Sequence, residues 1–441
     1  MRGGRVHDVV GVGLGPFNLG LACLLDPVTE VDAVFLEARS RFAWHPGMLL
    51  PRATLQVPFL ADLVTMADPT SPFSYLSFLK DVGRLYPFYI RESFYPLRRE
   101  YDEYCRWAAD RLSSVRFGAE VARIEHDGAS YVLHTRTGEV YRGLRLVLGT
   151  GTSPYVPTEL RRILKEPGVT HSAHYLSHKP DLQARRTITV VGSGQSAAEV
   201  YADLLAEIDD HEYELVWLTR SPRFFPMEYT KLTLEMTSPD YTRYFQSLPE
   251  ARRHTLLREQ RSLYKGISAE TVNEIYDALY ARQVAGGTDT SLLTSTAVVG
   301  ARRASGGYEL ELRHLESGEA YTLRTDAVIA ATGYRGHVPE FLTPIRDRIA
   351  LDEQGRYAAD EQYAVDHARR EIFVQNGEEH THGFVAPDLG MGAFRNSVII
   401  AALLGREVYP VESRIAFQEF GAPSRLTDNA PAGAGREGAA R

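Results

Sequence analysis

The first apolar run of the chain is short and β-branched. Asp8-Val9-Val10-Gly11-Val12 enters a break at Gly13-Leu14-Gly15-Pro16, and an apolar segment through Leu21, Leu24 and Leu25 leaves it. That pattern predicts a strand, a tight turn and a helix. Val34-Phe35-Leu36-Glu37 reads as the next strand. From Phe42 to Pro72 the periodicity fails in a long irregular segment rich in aromatics and prolines, a kind of loop that in a compact domain points to function. Helical spacing returns between Phe73 and Leu112, with Tyr101, Tyr104, Cys105, Trp107 and Ala108 as core positions. Phe117 to Leu148 reads as a small strand meander that closes on Gly149-Thr150-Gly151.

The opening device then recurs. Thr187-Ile188-Thr189-Val190-Val191 runs into Gly192-Ser193-Gly194-Gln195-Ser196-Ala197, again a strand, a glycine turn and a helix start. The following strand, Leu215-Val216-Trp217-Leu218-Thr219, ends in Arg220. Arg223 to Arg282 is helical and loop-rich, Leu292 to Leu323 is strand-like, and Asp326 to Ala331 feeds Thr332-Gly333-Tyr334. Glu371 to Gly377 and a helix through Val398 to Leu404 return the chain to the first unit. The predicted architecture is α/β: two Rossmann-like dinucleotide-binding domains with a small helical substrate region. The first domain is expected to be discontinuous, over 1–183 and 335–421. The second covers 184–334, with the helical insertion at 223–282. Residues 422–441, rich in Ala, Gly, Pro and charge, are expected to be disordered.

Both turns carry chemistry. Gly11 permits the first turn, Gly13 lets the backbone approach a pyrophosphate, and the helix that follows offers its unpaired N–H groups to the anion. Gly15 and Pro16 stand near the third-glycine place, where proline is tolerated at the first helical position. Glu37, roughly 20 residues on, can bind an adenosine ribose hydroxyl. At the second turn Arg220 replaces the acid and can accept a 2′-phosphate, which favours NADPH over NADH. Without a nucleotide beside it, each would be an ordinary surface charge at a strand end.

Composition removes other classes. At 441 residues the chain exceeds a single core, and its hydrophobic fraction of 44% is that of an ordinary globular protein. A net charge of −8 offers no polybasic face for nucleic acid or anionic membrane. No run approaches the roughly 18 apolar residues of a membrane span. The first strand follows Met1-Arg2 too closely for a signal peptide, so a cytoplasmic location is expected. Cys23 and Cys105 sit in helical apolar contexts and form no C-x-x-C pair, which excludes a disulfide reductase built on two nucleotide units. His380 and His382 lack acidic or cysteine partners at ligand spacing, so no metal is expected. A flavin reduced by a nicotinamide, FAD on the first turn and NADPH on the second, accounts for both sites.

Several motifs appear in order: Gly13-Leu14-Gly15-Pro16-Phe17-Asn18-Leu19, Phe42-Ala43-Trp44-His45-Pro46-Gly47-Met48, Gln56 with Phe59-Leu60-Ala61-Asp62-Leu63, and Asp68-Pro69-Thr70-Ser71. Tyr104 with Trp107-Ala108, the Gly192 turn, Gly266-Ile267-Ser268, Ala331-Thr332-Gly333-Tyr334 and Thr381-His382-Gly383 complete the set. Together they resemble the lysine and ornithine N-monooxygenase family, the flavin-dependent amine hydroxylases of siderophore biosynthesis, over nearly the whole chain to about Leu404. The resemblance implies that NADPH reduces FAD, that O₂ adds to form a C4a-hydroperoxyflavin, and that a small-molecule amine attacks it. It also implies a homo-oligomer, a tetramer. An alkyl amine has a pKa of about 10.4 in water and reacts only when neutral, so a dry pocket is required. By motif matching, the stretch from Glu37 through Ala43, Trp44 and His45, with Gln56, lines FAD. Trp44, His45 and Gln56 stand at the flavin as the catalytic candidates. Ser193, Gly194, Gln195, Ser196, Arg220 and Tyr264 hold NADPH, and Asp388 and Leu389 approach the flavin from the C-terminal side.

Three substrate positions depart from the amino-acid hydroxylases of that family. A lysine that pairs with the substrate carboxylate is here Ala61, a second contact aligns with Leu234, and a serine after the His-Gly motif aligns with Gly390. A buried α-carboxylate and α-ammonium left without partners cost several kcal/mol. The expected substrate is therefore a diamine, cadaverine or putrescine. The alternatives are lysine or ornithine side-chain hydroxylation, and an NADPH oxidase that releases peroxide.

Overall fold

The computed structural model describes residues 5–287 and 290–422, so the tail expected to be disordered lies, after its first residue, outside the described residues. Among the described residues one sheet of seven strands forms around Val6–Val12, which pairs in parallel with Ala33–Glu37 on one side and Val140–Leu148 on the other. The last four residues of Val6–Val12 are buried, as a strand covered on both faces requires. Val121–His126 and Tyr131–Thr135 form the expected meander, but its last strand, Val140–Leu148, is part of this central sheet. Ile372–Val374 pairs in parallel with Val140–Leu148, so the late segment does return to the first sheet.

A second, all-parallel sheet has the order Thr290–Leu293, Glu214–Leu218, Thr187–Val191, Ala327–Ala330, Val169–His171. Thr296–Ala304, Gly307–His314 and Ala320–Thr325 make an antiparallel sheet beside it. The expected division at 183/184 does not follow this topology. Val169–His171 pairs with Ala327–Ala330, and Val156, Leu160 and Ile163 pack with Val191 and Leu218. Burial draws the connecting segment to the second sheet, and we propose that the division falls near residue 155.

The helices at Tyr75–Asp81, Leu85–Ile90 and Arg98–Ala109 fill the stretch predicted to be helical. Tyr101, Tyr104 and Cys105 are buried there, and Cys23 is buried in the helix Pro16–Leu25. The insertion carries Lys231–Leu234, Pro239–Ser247, Glu250–Glu259 and Ala269–Val284. The irregular segment after Phe42 has one short 3₁₀ turn, Pro46–Met48. Its Met48, Leu50 and Ala53 pack into the core of the second unit, while Phe42, Leu55 and Leu63 pack into the first. This loop lies across both units. Among the described residues no helix is long and apolar enough to cross a membrane.

Candidate active site

At the first turn Gly13 adopts φ +84°, and a Cβ there would come within 2.5 Å of the Gly149 carbonyl oxygen. Both facts demand glycine. Around Gly15 a Cβ would meet nothing within 4 Å, so space opens in front of the helix Pro16–Leu25. That helix begins with proline and has no side-chain cap. Gly11, expected to permit the turn, lies inside the strand instead. There the Phe35 ring, which a Cβ would overlap, is what requires glycine. Glu37 closes the neighbouring strand, and its carboxylate accepts from Leu14 N at 2.8 Å and Arg39 N at 3.0 Å.

The second turn repeats the plan. Gly192 has φ +151° and lies against the Ala331 carbonyl, and Gly194 opens the helix Gln195–Ala206 without a side-chain cap. Ser74, Ser238 and Ser268 do cap other helices of this chain. The helices Arg98–Ala109, Glu250–Glu259 and Gly392–Leu404 also lack a side-chain cap. What the two helices after the glycine turns add is the glycine turn itself, and a pyrophosphate suits their first N–H groups. Ser193 and Ser196 flank this turn, and Arg220 is exposed at the end of the next strand with no hydrogen bond or ion pair among the described residues.

Between the turns lies the long loop with the residues expected on the flavin side. The Ala43 carbonyl accepts from the Arg39 guanidinium, and Trp44 N donates to Asp102 at 2.7 Å. The Trp44 ring meets Tyr101 and His45 edge-on, at 5.1 and 5.0 Å between centroids. His45 has φ +46° and touches Tyr334 across the units at 5.7 Å. The residue is exposed, yet the Trp44 and Tyr334 rings crowd its imidazole. Loss of water, then the charges of Arg98 and Arg39, bring its imidazole down to about 4, so it is neutral at ordinary pH. Gln56 Nε2 donates to Gln195 Oε1 at 3.2 Å, joining the long loop directly to the second turn. Tyr264 turns away from that turn: its hydroxyl bonds Glu379 and its ring packs on Phe384, while the neighbouring Lys265 carbonyl faces Gly194.

Of the three substrate candidates, two come together. Ala61 is buried, and a Cβ on Gly390 would lie 3.7 Å from the Ala61 methyl. Leu234 ends the short helix Lys231–Leu234 at the surface, 44% exposed. Asp388 accepts from Gly390 N at 2.7 Å, and Leu389 opens the 3₁₀ turn that carries Gly390. Burial raises the Asp388 carboxyl above the usual range, opposed by that N–H and by Arg395. Burial raises the half-buried Tyr229 phenol, with smaller contributions from Tyr95 and Asp388.

Several residues around these turns make contacts that the sequence does not announce. Asn18 Nδ2 donates to the Gly13 carbonyl at 2.8 Å, and its Oδ1 accepts from Gln375 at 2.8 Å, tying the returning strand to the first turn. Asn18 stands in the Phe17-Asn18-Leu19 motif, but nothing local announces a partner as distant as Gln375. Asp62 accepts from Val64, Thr65 and Tyr75 N–H groups and shapes the loop at Ala61. Arg98 and Glu199 form a bidentate pair with both contacts at 2.7 Å. His380 and His382 are buried against Tyr357 and Tyr363.

Residues 5–336 match the family described as L-lysine 6-monooxygenase/L-ornithine 5-monooxygenase. The chain is 48% identical over 430 residues to the putrescine N-hydroxylase of Shewanella oneidensis, covering 96% of this chain and 86% of that one. It is 32% identical over 410 residues to the L-lysine N6-monooxygenase of Escherichia coli, covering 91% and 95%. Among solved structures, the FAD-bound cadaverine monooxygenase DfoA of the desferrioxamine pathway of Erwinia amylovora superposes with a TM-score of 0.92. It is 48% identical and covers 96% of this chain and 100% of that one. The chain belongs to the lysine/ornithine monooxygenase family and is an FAD- and NADPH-dependent N-hydroxylating flavoprotein.

Proposed function

We propose that this enzyme hydroxylates one primary amine of an aliphatic diamine, cadaverine or putrescine, for a hydroxamate siderophore. FAD takes the turn at Gly13 and NADPH the turn at Gly192. The observation that carries the substrate reading is the wall made by Ala61 and Gly390 with Asp388 beside it. An α-carboxylate brought there would find an acid in place of a cation. A diamine brings a second ammonium, which a half-buried carboxylate can pair and hydrogen-bond. The identity of 48% to the putrescine and cadaverine enzymes, against 32% to the lysine enzyme, supports the same reading.

When bound, the two cofactors supply the reducing equivalents and the activated oxygen. The protein's own part is positional. Asp388 anchors the distal ammonium, the apolar Ala61 face keeps water from the chain, and a dry environment disfavours protonation of the reacting amine. Gln56, Trp44 and neutral His45 border the flavin side of the cleft. The enzyme acts in the cytoplasm as a homo-oligomer, which fractionation and light scattering check.

The test is NADPH oxidation with hydroxylamine detection across cadaverine, putrescine, lysine and ornithine. Product from the diamines is expected; product from lysine or ornithine with none from the diamines overturns the reading. Asp388→Asn should raise the diamine KM roughly ten- to hundredfold, the equivalent of about 1.5–3 kcal/mol for a charged hydrogen bond, with a smaller change in kcat. Because burial raises the Asp388 pKa, the ammonium pair exists above that pKa and is lost as pH falls through it. The acid limb of kcat/KM for diamines should therefore contain a component that Asp388→Asn removes.

A further inference from the structure

Arg98 opens the helix Arg98–Ala109 of the first unit, and Glu199 lies one turn into the helix Gln195–Ala206 of the second. Their side chains are 12% and 7% exposed, and the guanidinium meets both carboxylate oxygens at 2.7 Å. A buried charge pair is weak evidence for stability, since apolar residues of similar size often serve as well. What sets this pair apart is its continuation. Glu199 Oε1 also accepts from Gln195 Nε2 at 2.9 Å, and Gln195 Oε1 accepts from Ser268 N at 2.8 Å. A carboxylate can only accept and a backbone N–H can only donate, so the Gln195 amide has one permitted orientation. Its oxygen then accepts from Gln56 Nε2 at 3.2 Å, which leaves Gln56 Oε1 without a donor among the described residues. Donor and acceptor roles are thus fixed in sequence from Arg98, through Glu199 and Gln195, to Gln56.

We propose that Arg98 and Glu199 are positioning residues for the reaction: the pair holds the second glycine turn against the flavin-side loop and sets the direction in which Gln56 presents its amide. It keeps NADP⁺ seated and directs the reducing equivalents of NADPH into amine hydroxylation, with release of H₂O₂ suppressed. Neither residue touches the reacting atoms. The inference rests on the assignment of the two turns to FAD and NADPH, and does not depend on which amine is the substrate.

The experiment measures four quantities on FAD-loaded enzyme: the NADP⁺ dissociation constant, the ratio of hydroxylamine to NADPH consumed, flavin content and melting temperature. Glu199→Gln is expected to weaken NADP⁺ binding and lower the ratio, each roughly five- to tenfold, with H₂O₂ making up the difference. Combined with Gln56→Ala, it should uncouple no further than the worse single variant, because both cut one chain of bonds. Losses that multiply overturn the proposal. Glu199→Gln leaves Arg98 buried without its counter-ion, so an Arg98→Met/Glu199→Leu variant separates stability from positioning. Its melting temperature should recover while the coupling ratio stays low, since Gln195 has still lost its bond to Glu199 and keeps as acceptor only Thr271 Oγ1, at 3.2 Å on another helix. Coupling that recovers together with stability also overturns the proposal. Failure of the underlying cofactor assignment looks different: Arg220→Ala would then leave NADPH binding unchanged.

Discussion

The turn at Gly13 and the turn at Gly192 share a backbone plan, with a strained glycine and an uncapped helix behind it, and differ in the charge set against them. Glu37 stands at the first and is already engaged, accepting one backbone N–H from the turn itself, at Leu14, and one from its own loop, at Arg39. Arg220 stands at the second and is exposed, with no partner among the described residues. An acid locked in place suits a resident cofactor whose ribose hydroxyls replace or share existing hydrogen bonds. A free guanidinium suits a cofactor that comes and goes and brings a phosphate with it. The pair of turns thus separates a tenant from a visitor by how much of each binding group is committed beforehand.

The largest expected effect tests what the turns share. Gly13→Val adds a side chain at φ +84° and drives it towards the Gly149 carbonyl, so the protein should purify without flavin absorbance. Retained FAD would show that the turn tolerates a Cβ and that the shared plan is not what holds the cofactor. Next comes the difference itself. Arg220→Ala should raise the NADPH KM roughly ten- to hundredfold, about 1.5–3 kcal/mol for a charged hydrogen bond, and leave NADH use nearly unchanged. An equal loss for both nucleotides would mean that Arg220 does not read the 2′-phosphate. The smallest effect is at Glu37. Glu37→Gln keeps an acceptor for Leu14 N and loses only the charge, so FAD binding should weaken by about 0.5–1.5 kcal/mol, measured by equilibrium titration of the apoprotein.

Local pattern makes both turns legible in the sequence, because a strand, a glycine break and a helix occupy consecutive residues. The return of Ile372–Val374 to the first sheet can also be anticipated from its apolar run and its place in the chain. The boundary expected at 183/184 departs from the sheet pairing for a different reason: Val169–His171 is a three-residue strand whose partner, Ala327–Ala330, lies far along the sequence. Arg98 and Glu199 are silent in the sequence on the same ground, being 101 positions apart and ordinary in their own neighbourhoods. Motif matching puts Asp388 on the flavin side, and only the folded chain brings it, through Gly390, beside Ala61. Leu234, taken from the same alignment, lies at the surface.

The bond between Asn18 and Gln375 joins positions 357 residues apart. A ribosome delivers this glycine turn long before the partner that fixes it, which arrives only 357 residues later. Flavin capture should accordingly be a late event in biogenesis, and nascent chains halted before Gln375 should expose a formed but slack turn. For this enzyme, the flavin-side turn is made well before it can become a finished site.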